Sequence, residues 1–252
     1  MTEAPSPDDR RVVVLNDARR YVGPALSRLL AARGHDLVVG EIEDSLAGEL
    51  AALGASVEIV AGGRDLTDPE AAGRLVAAAH ERFGRIDAAV SFGGVIVTGS
   101  FRRSTPEDLA HAVSGCLEAP YHFLKAVVDP MVEQGVGQVL VITSAAGARP
   151  TDGAPLYSSA RAAANMLVRN VAAEVAGKGV QVNAVGTNFM DFPDFLRATG
   201  ADDPSVRAAV ESMVPMHRLG TMEEFASMCL PFIDGTSRFV TGQFIACAGG
   251  WA

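Results

Sequence analysis

Ser144, Tyr157 and Arg161 are the residues whose types and spacing carry chemistry in this chain. Tyr157 lies thirteen residues beyond Ser144, and Arg161 four beyond Tyr157. Four residues is about one helical turn, so on a helix the phenol and the guanidinium share a face. A free phenol keeps its proton up to a pH of ~10. A fixed positive charge beside it stabilises the phenolate left when that proton moves. The Ser144 hydroxyl can hydrogen-bond a substrate oxygen and hold it near the phenol. Together the three read as a catalytic proton-transfer unit working on an oxygen.

Such a unit needs a frame, and the chain supplies one by alternating short apolar runs with amphipathic stretches. Strands are predicted over Arg11–Leu15, Leu37–Gly40, Ser56–Val60, Ala88–Ser91, Gln138–Thr143, Val180–Val185 and Gln243–Ala246. Helices are predicted over Gly23–Arg33, Ala71–Phe83, a segment after Pro106, Pro120–Glu133, Ala154–Lys178 and Thr221–Phe232. Gly34, Gly84 and Gly179 stand where helices stop. A β-α-β-α order implies right-handed crossovers and a parallel sheet with helices on both faces. Strands covered on both faces read as continuous apolar runs, as these do. The expected fold is a single-domain, doubly wound, Rossmann-like α/β domain over residues 11–252, behind a disordered tail of residues 1–10. Ligands in such sheets bind beyond the carboxyl ends of the strands. That directs attention to the segments after Leu15, Ser91, Thr143 and Val185.

Composition narrows the function classes. The chain has 252 residues, 48% of them hydrophobic, and a formal net charge of −9. An acidic surface argues against nucleic acid as a partner. No apolar run reaches the ~18–20 residues of a membrane span. The start, MTEAPSPDDRR, has no apolar segment of the secretory kind. Cys116, Cys229 and Cys247 are odd in number and widely spaced, which fits neither a zinc site nor a disulfide framework. The five histidines, His35, His80, His111, His122 and His217, fall at no metal-binding spacing. A cytoplasmic enzyme acting on a small molecule without a metal is the expectation.

The sequence resembles the short-chain dehydrogenase/reductase superfamily over nearly its whole length. The resemblance rests on Asp65-Leu66-Thr67-Asp68, the Ser144 and Tyr157 pair, Asn183-Ala184-Val185, and Phe239-Val240-Thr241-Gly242-Gln243 followed by Gly249-Gly250. Three features depart from the ordinary pattern. Where the superfamily has TGxxxGxG, this chain has Asn16-Asp17-Ala18-Arg19-Arg20-Tyr21-Val22-Gly23, and only Gly23 survives. Arg161 replaces a lysine, and Cys116 aligns with an asparagine. These departures are similar to those of the halohydrin dehalogenases, whose signatures are Ser-x12-Tyr-x3-Arg and Thr-x4-(Phe/Tyr)-x-Gly. Asn16 replaces the threonine of the second signature, and Thr187 replaces a proline expected before Asn188.

That resemblance implies a lyase that converts vicinal haloalcohols to epoxide plus halide ion, with no nicotinamide cofactor. Ser144, Tyr157 and Arg161 would be catalytic. Tyr21, Asn188, Phe189, Met190 and Phe195 would wall the halide and substrate pocket. The alternative is an NAD- or NADP-dependent oxidoreductase with an altered phosphate loop. Asn16, Gly23, Glu41, Asp65, Leu66 and Gly93 would then hold the cofactor, with Arg19 and Arg20 on its phosphates. A non-catalytic scaffold is a third reading, opposed by the intact Ser144 and Tyr157. The resemblance also implies a homodimer or homotetramer.

Overall fold

The computed structural model describes residues 10–252. Apart from Arg10, the tail expected over residues 1–10 lies outside the described residues. Arg10 is anchored, donating to Asp36 at 3.0 Å and to the Gly54 carbonyl at 2.6 Å.

Among the described residues the chain runs β1 (Val12–Leu15), α1 (Gly23–Ala32), β2 (Asp36–Val39), α2 (Asp44–Ala52), β3 (Val57–Ile59), α3 (Ala71–Phe83) and β4 (Ala88–Phe92). It continues with α4 (Pro106–Val113), α5 (Ala119–Gln134), β5 (Gly137–Ser144), α6 (Pro155–Val175) and β6 (Val180–Thr187). The last elements are α7 (Pro193–Thr199), α8 (Pro204–Ser212), α9 (Met222–Cys229) and β7 (Phe244–Cys247). The seven strands form one parallel sheet in the order β3-β2-β1-β4-β5-β6-β7. This is the doubly wound, Rossmann-like α/β architecture that the alternation of elements predicts.

Period-2 geometry explains why β1 reads as unbroken valine and leucine. Val13 and Leu15 enter one core with Leu26, Leu30 and Phe225, while Val12 and Val14 enter the other with Leu75, Phe123 and Val127. Helices α1 and α9 cover the first face, and α3, α5 and α6 the second. Each fully buried valine or leucine contributes roughly 1.5–3 kcal/mol relative to exposure.

The predicted elements fall close to the observed ones. Three short helices, α2, α7 and α8, were not predicted. They sit in charged or proline-containing stretches with few buried residues, where the apolar period is weak.

The sheet order reverses between β1 and β4. Chain leaving β1 turns toward β2, and chain leaving β4 turns toward β5. That switch point opens a crevice at the carboxyl ends of the strands. Asn16 pins it. Its amide accepts from the Phe92 N–H at 3.0 Å and donates to the Phe92 and Arg64 carbonyls, each at 2.9 Å.

Candidate active site

Helix α6 opens with Pro155 at its first position, where the missing N–H costs nothing. Its buried stripe, including Tyr157, Arg161, Ala164, Val168 and Ala172, recurs at three- and four-residue spacing. Tyr157 and Arg161 are therefore held on the face that packs toward β5 and β6. The Arg161 guanidinium carbon lies 5.3 Å from the Tyr157 ring centroid. Ser144 ends β5, where its hydroxyl accepts from the Ala146 N–H at 3.1 Å and donates to the Thr187 carbonyl at 3.3 Å. All three residues line one cavity of about 470 Å³.

Arg161 is only 5% exposed. Its Nη2 donates to the Gly93 carbonyl at 2.5 Å, while Nε and Nη1 have no protein partner. Burial by itself would lower its pKa, but the surrounding Tyr157 and Cys116 raise it above the ordinary value. A permanently charged guanidinium thus sits beside the phenol with donors to spare. Gly94, at a φ of 127°, makes room for it: a Cβ there would lie 2.0 Å from Nη2. Cys116 stands behind Tyr157 on a π-helical turn, Ser114–Glu118, and packs with Ala112, Ala146 and Ala160.

The aromatic residues expected around a halide are assembled in the same cavity. Tyr21, Asn188, Phe189, Met190 and Phe195 all line it, joined by Phe192, Ile96 and Thr187. Phe189 meets Phe195 edge-on at 6.1 Å and Trp251 at 5.4 Å. Trp251 is held in turn by Arg149, which stacks over its ring at 4.7 Å and donates to its carbonyl at 2.6 Å. The ending Gly249-Gly250-Trp251 also resembles the dehalogenase branch, but its contact with Arg149, 102 residues away, was not legible in the sequence.

Tyr21 has a φ of 53°, a left-handed conformation that glycine adopts more readily than a residue with a side chain. Its ring lies 4.8 Å from Phe192 and 5.6 Å from Phe225, and its hydroxyl bonds the Thr187 hydroxyl. Burial pushes its phenol well above the ordinary range, so it stays neutral. Gly23 survives for a separate reason: a Cβ there would lie 2.4 Å from the Asp17 carbonyl oxygen.

A second cavity, of about 270 Å³, adjoins the first beyond β4. Asp65, Leu66 and Thr67 line it, with Asn16, Arg64 and Val95. Asp17, Phe92, Gly93 and Gly94 line both cavities and so mark their junction. Glu41 is tied up at the rim. Its carboxylate pairs with Arg19 at 2.7 Å and Arg64 at 2.9 Å. The Arg19 hydrogen bond is the main reason its pKa is lowered. Asp65 accepts from the Thr67 N–H and hydroxyl and so stabilises its own turn.

The comparisons with known proteins bear on the whole of this crevice. The family profile described as enoyl-(acyl carrier protein) reductase matches residues 18–252. The chain belongs to this family, within the short-chain dehydrogenase/reductase superfamily. It is 26% identical over 246 residues to a 2,5-dichloro-2,5-cyclohexadiene-1,4-diol dehydrogenase of Sphingobium indicum, covering 96% of each chain. It is 27% identical over 244 residues to a 3-oxoacyl-[acyl-carrier-protein] reductase of Thermotoga maritima, covering 95% of this chain and 97% of that one. Among solved structures, a short-chain type dehydrogenase/reductase from Mycobacterium ulcerans superposes with a TM-score of 0.85 at 25% identity, covering 96% of this chain and 90% of that one. ElxO with NADP bound superposes with a TM-score of 0.84 at 20% identity, covering 96% and 98%.

These relatives overturn two expectations. The cofactor-free, halide-releasing lyase is not upheld, because the similar proteins are dehydrogenases and reductases along almost their full length. The expected absence of a nicotinamide cofactor falls with it. Tyr21, expected in a halide wall, does line the substrate-side cavity, and there its ring packs against Phe192 and its hydroxyl bonds Thr187.

The two cavities together leave room for a dinucleotide, about 270 Å³ beside Asp65 and Leu66 and about 470 Å³ beside Tyr157. At the junction the fit is conditional, because the Asp17 carboxylate occupies the phosphate loop. Its Oδ1 accepts from the N–H groups of Arg19 at 2.8 Å and Arg20 at 3.0 Å.

Among the described residues no cluster of metal-ligating side chains occurs, and no helix is long and apolar enough to cross a membrane.

Proposed function

We propose that this protein is a nicotinamide-dependent oxidoreductase that interconverts an alcohol and a carbonyl on a small, mainly apolar substrate. The observation that carries the reading is the paired cavity at the β1/β4 switch point, with Ser144, Tyr157 and Arg161 in one half. A nicotinamide, when bound, supplies or accepts the hydride at the substrate carbon.

The chain's own residues handle the oxygen. Ser144 holds it by hydrogen bond, giving up its 3.3 Å contact to the Thr187 carbonyl to do so. Tyr157 delivers a proton to that oxygen in reduction and takes one from it in oxidation. Arg161 supplies the fixed positive charge that balances the phenolate. Phe189, Phe192 and Phe195 exclude water and select an apolar substrate body. In this reading Asp65, Leu66 and Gly93 face the adenosine end, whereas Asn16 acts on the scaffold by joining β1 to β4. A homodimer or homotetramer in the cytoplasm completes the proposal.

The test is a panel of ketones and aldehydes offered with NADH and with NADPH, read by loss of reduced nicotinamide absorbance. The wild-type chain should turn over at least one carbonyl. Tyr157→Phe should lower that rate by ~10²–10⁴-fold, the usual worth of a positioned acid. An unchanged rate in the variant would remove Tyr157 from the chemistry.

A further inference from the structure

In a dinucleotide site the first turn after β1 presents bare backbone N–H groups to the pyrophosphate. Here two of the groups in that turn are already taken. The Asp17 Oδ1 atom accepts from the Arg19 and Arg20 N–H groups, and its Oδ2 atom accepts from Arg64 Nε at 2.9 Å. The carboxylate is only 6% exposed and lies where the adenosine-side and substrate-side cavities meet. Arg64 also pairs with Glu41, and Arg19 with Glu41 and Glu43, so the network is latched on its outer side. Gly23 packs closely under the same loop, with no room for a Cβ beside the Asp17 carbonyl.

We propose that Asp17 is an internal stand-in for the cofactor's phosphate, which holds the phosphate loop occupied and must be displaced before a dinucleotide binds. The inference rests on the nicotinamide-dependent reading given above. Two negative groups cannot share one set of N–H donors, so the carboxylate and the pyrophosphate compete for the same place. Asp17 thereby weakens binding of anything that carries phosphate at the junction. It leaves binding of the uncharged adenosine end unaffected. Arg64, the latch on the other carboxylate oxygen, is released whenever Asp17 leaves.

Binding, not turnover, tests this. NADH, NADPH and phosphate-free adenosine are titrated by calorimetry into wild type, Asp17→Gly and Asp17→Asn, with melting temperature recorded for each. Asp17→Gly should bind at least one dinucleotide tenfold or more tighter than wild type, with adenosine affinity the same in both. Asp17→Asn keeps the side-chain shape without the charge, so it should fall between them, and it decides the question if the glycine variant does not fold. If wild type binds a dinucleotide and neither variant binds it more tightly, Asp17 is not a competitor. If adenosine tightens in parallel with the dinucleotide, the effect is a general opening of the crevice, and the proposal fails. If no folded form binds either dinucleotide at millimolar concentration, the oxidoreductase reading falls, and this inference falls with it.

Discussion

The two ends of the sheet satisfy their buried arginines to different degrees. At the amino ends of the strands, most buried polar groups are matched within the protein, Arg11 Nε and His35 Nε2 excepted. Asp87 accepts from the Val12 N–H at 2.8 Å and from Arg85 at 2.6 Å. A single Arg11 nitrogen donates to the Asp87 carbonyl, the Gln138 side chain and the Ile233 carbonyl, joining β1, β4, β5 and the segment after α9. At the carboxyl ends, Arg161 is buried with two nitrogens unpaired. Tyr21 and Phe189 hold left-handed backbone there, at 53° and 56°. Such conformations cost of order 1–3 kcal/mol each for residues with side chains. One end is cross-linked more completely, and the other carries backbone strain and a guanidinium with a single protein acceptor.

The sharpest way to break this contrast is to exchange the roles of stability and rate. Arg161→Met removes an unpaired buried cation, so its melting temperature should hold or rise while carbonyl turnover falls about 10³-fold. Thermal unfolding and steady-state kinetics on one preparation check both. A large loss of stability would show that Arg161 serves the core instead. Asp87→Ala should do the opposite. It strands the buried Val12 N–H and removes the partner of the half-exposed Arg85, costing ~2 kcal/mol in denaturant unfolding with kcat unchanged.

A pH series sharpens the comparison at the amino end. His35 is buried with its Nε2 unpaired, and burial, helped by the Arg11 charge, lowers its pKa to about 4. The fold therefore favours the neutral ring, whereas the unfolded chain protonates it near pH ~6.5. Its contribution to stability is whole above that pH and shrinks as pH falls toward 4. His35→Gln should flatten the melting temperature between those limits, and an unchanged slope would assign the pH dependence elsewhere. The smallest effect expected is at the aromatic wall. Phe195→Ala should raise KM a few-fold for apolar substrates, with kcat and melting temperature nearly constant.

The amino-acid pattern made one end more legible than the other. Strands buried on both faces announce themselves as apolar runs, and the i, i+4 spacing placed Tyr157 and Arg161 on one helix face. The loop chemistry did not announce itself. Asp17 and Arg64 are 47 residues apart and meet only because their loops leave β1 and β3 at the same end of the sheet, with β2 between them. Thr187 looked like a missing proline, yet its hydroxyl anchors Tyr21 and its carbonyl anchors Ser144. The departure at Tyr21 reads as chemistry in the sequence, and part of its meaning is backbone conformation. Side-chain identity records what a residue carries; a positive φ at Tyr21 is visible only in the folded chain.

The central claim is that hydride moves at a carbon while Tyr157 moves a proton at its oxygen. Reduction of an accepted carbonyl with nicotinamide deuterated at its transferable position tests it most directly. One deuterium should appear on the carbinol carbon of the product, and Tyr157→Phe should suppress its formation. A product whose carbinol carbon carries no deuterium would contradict the account.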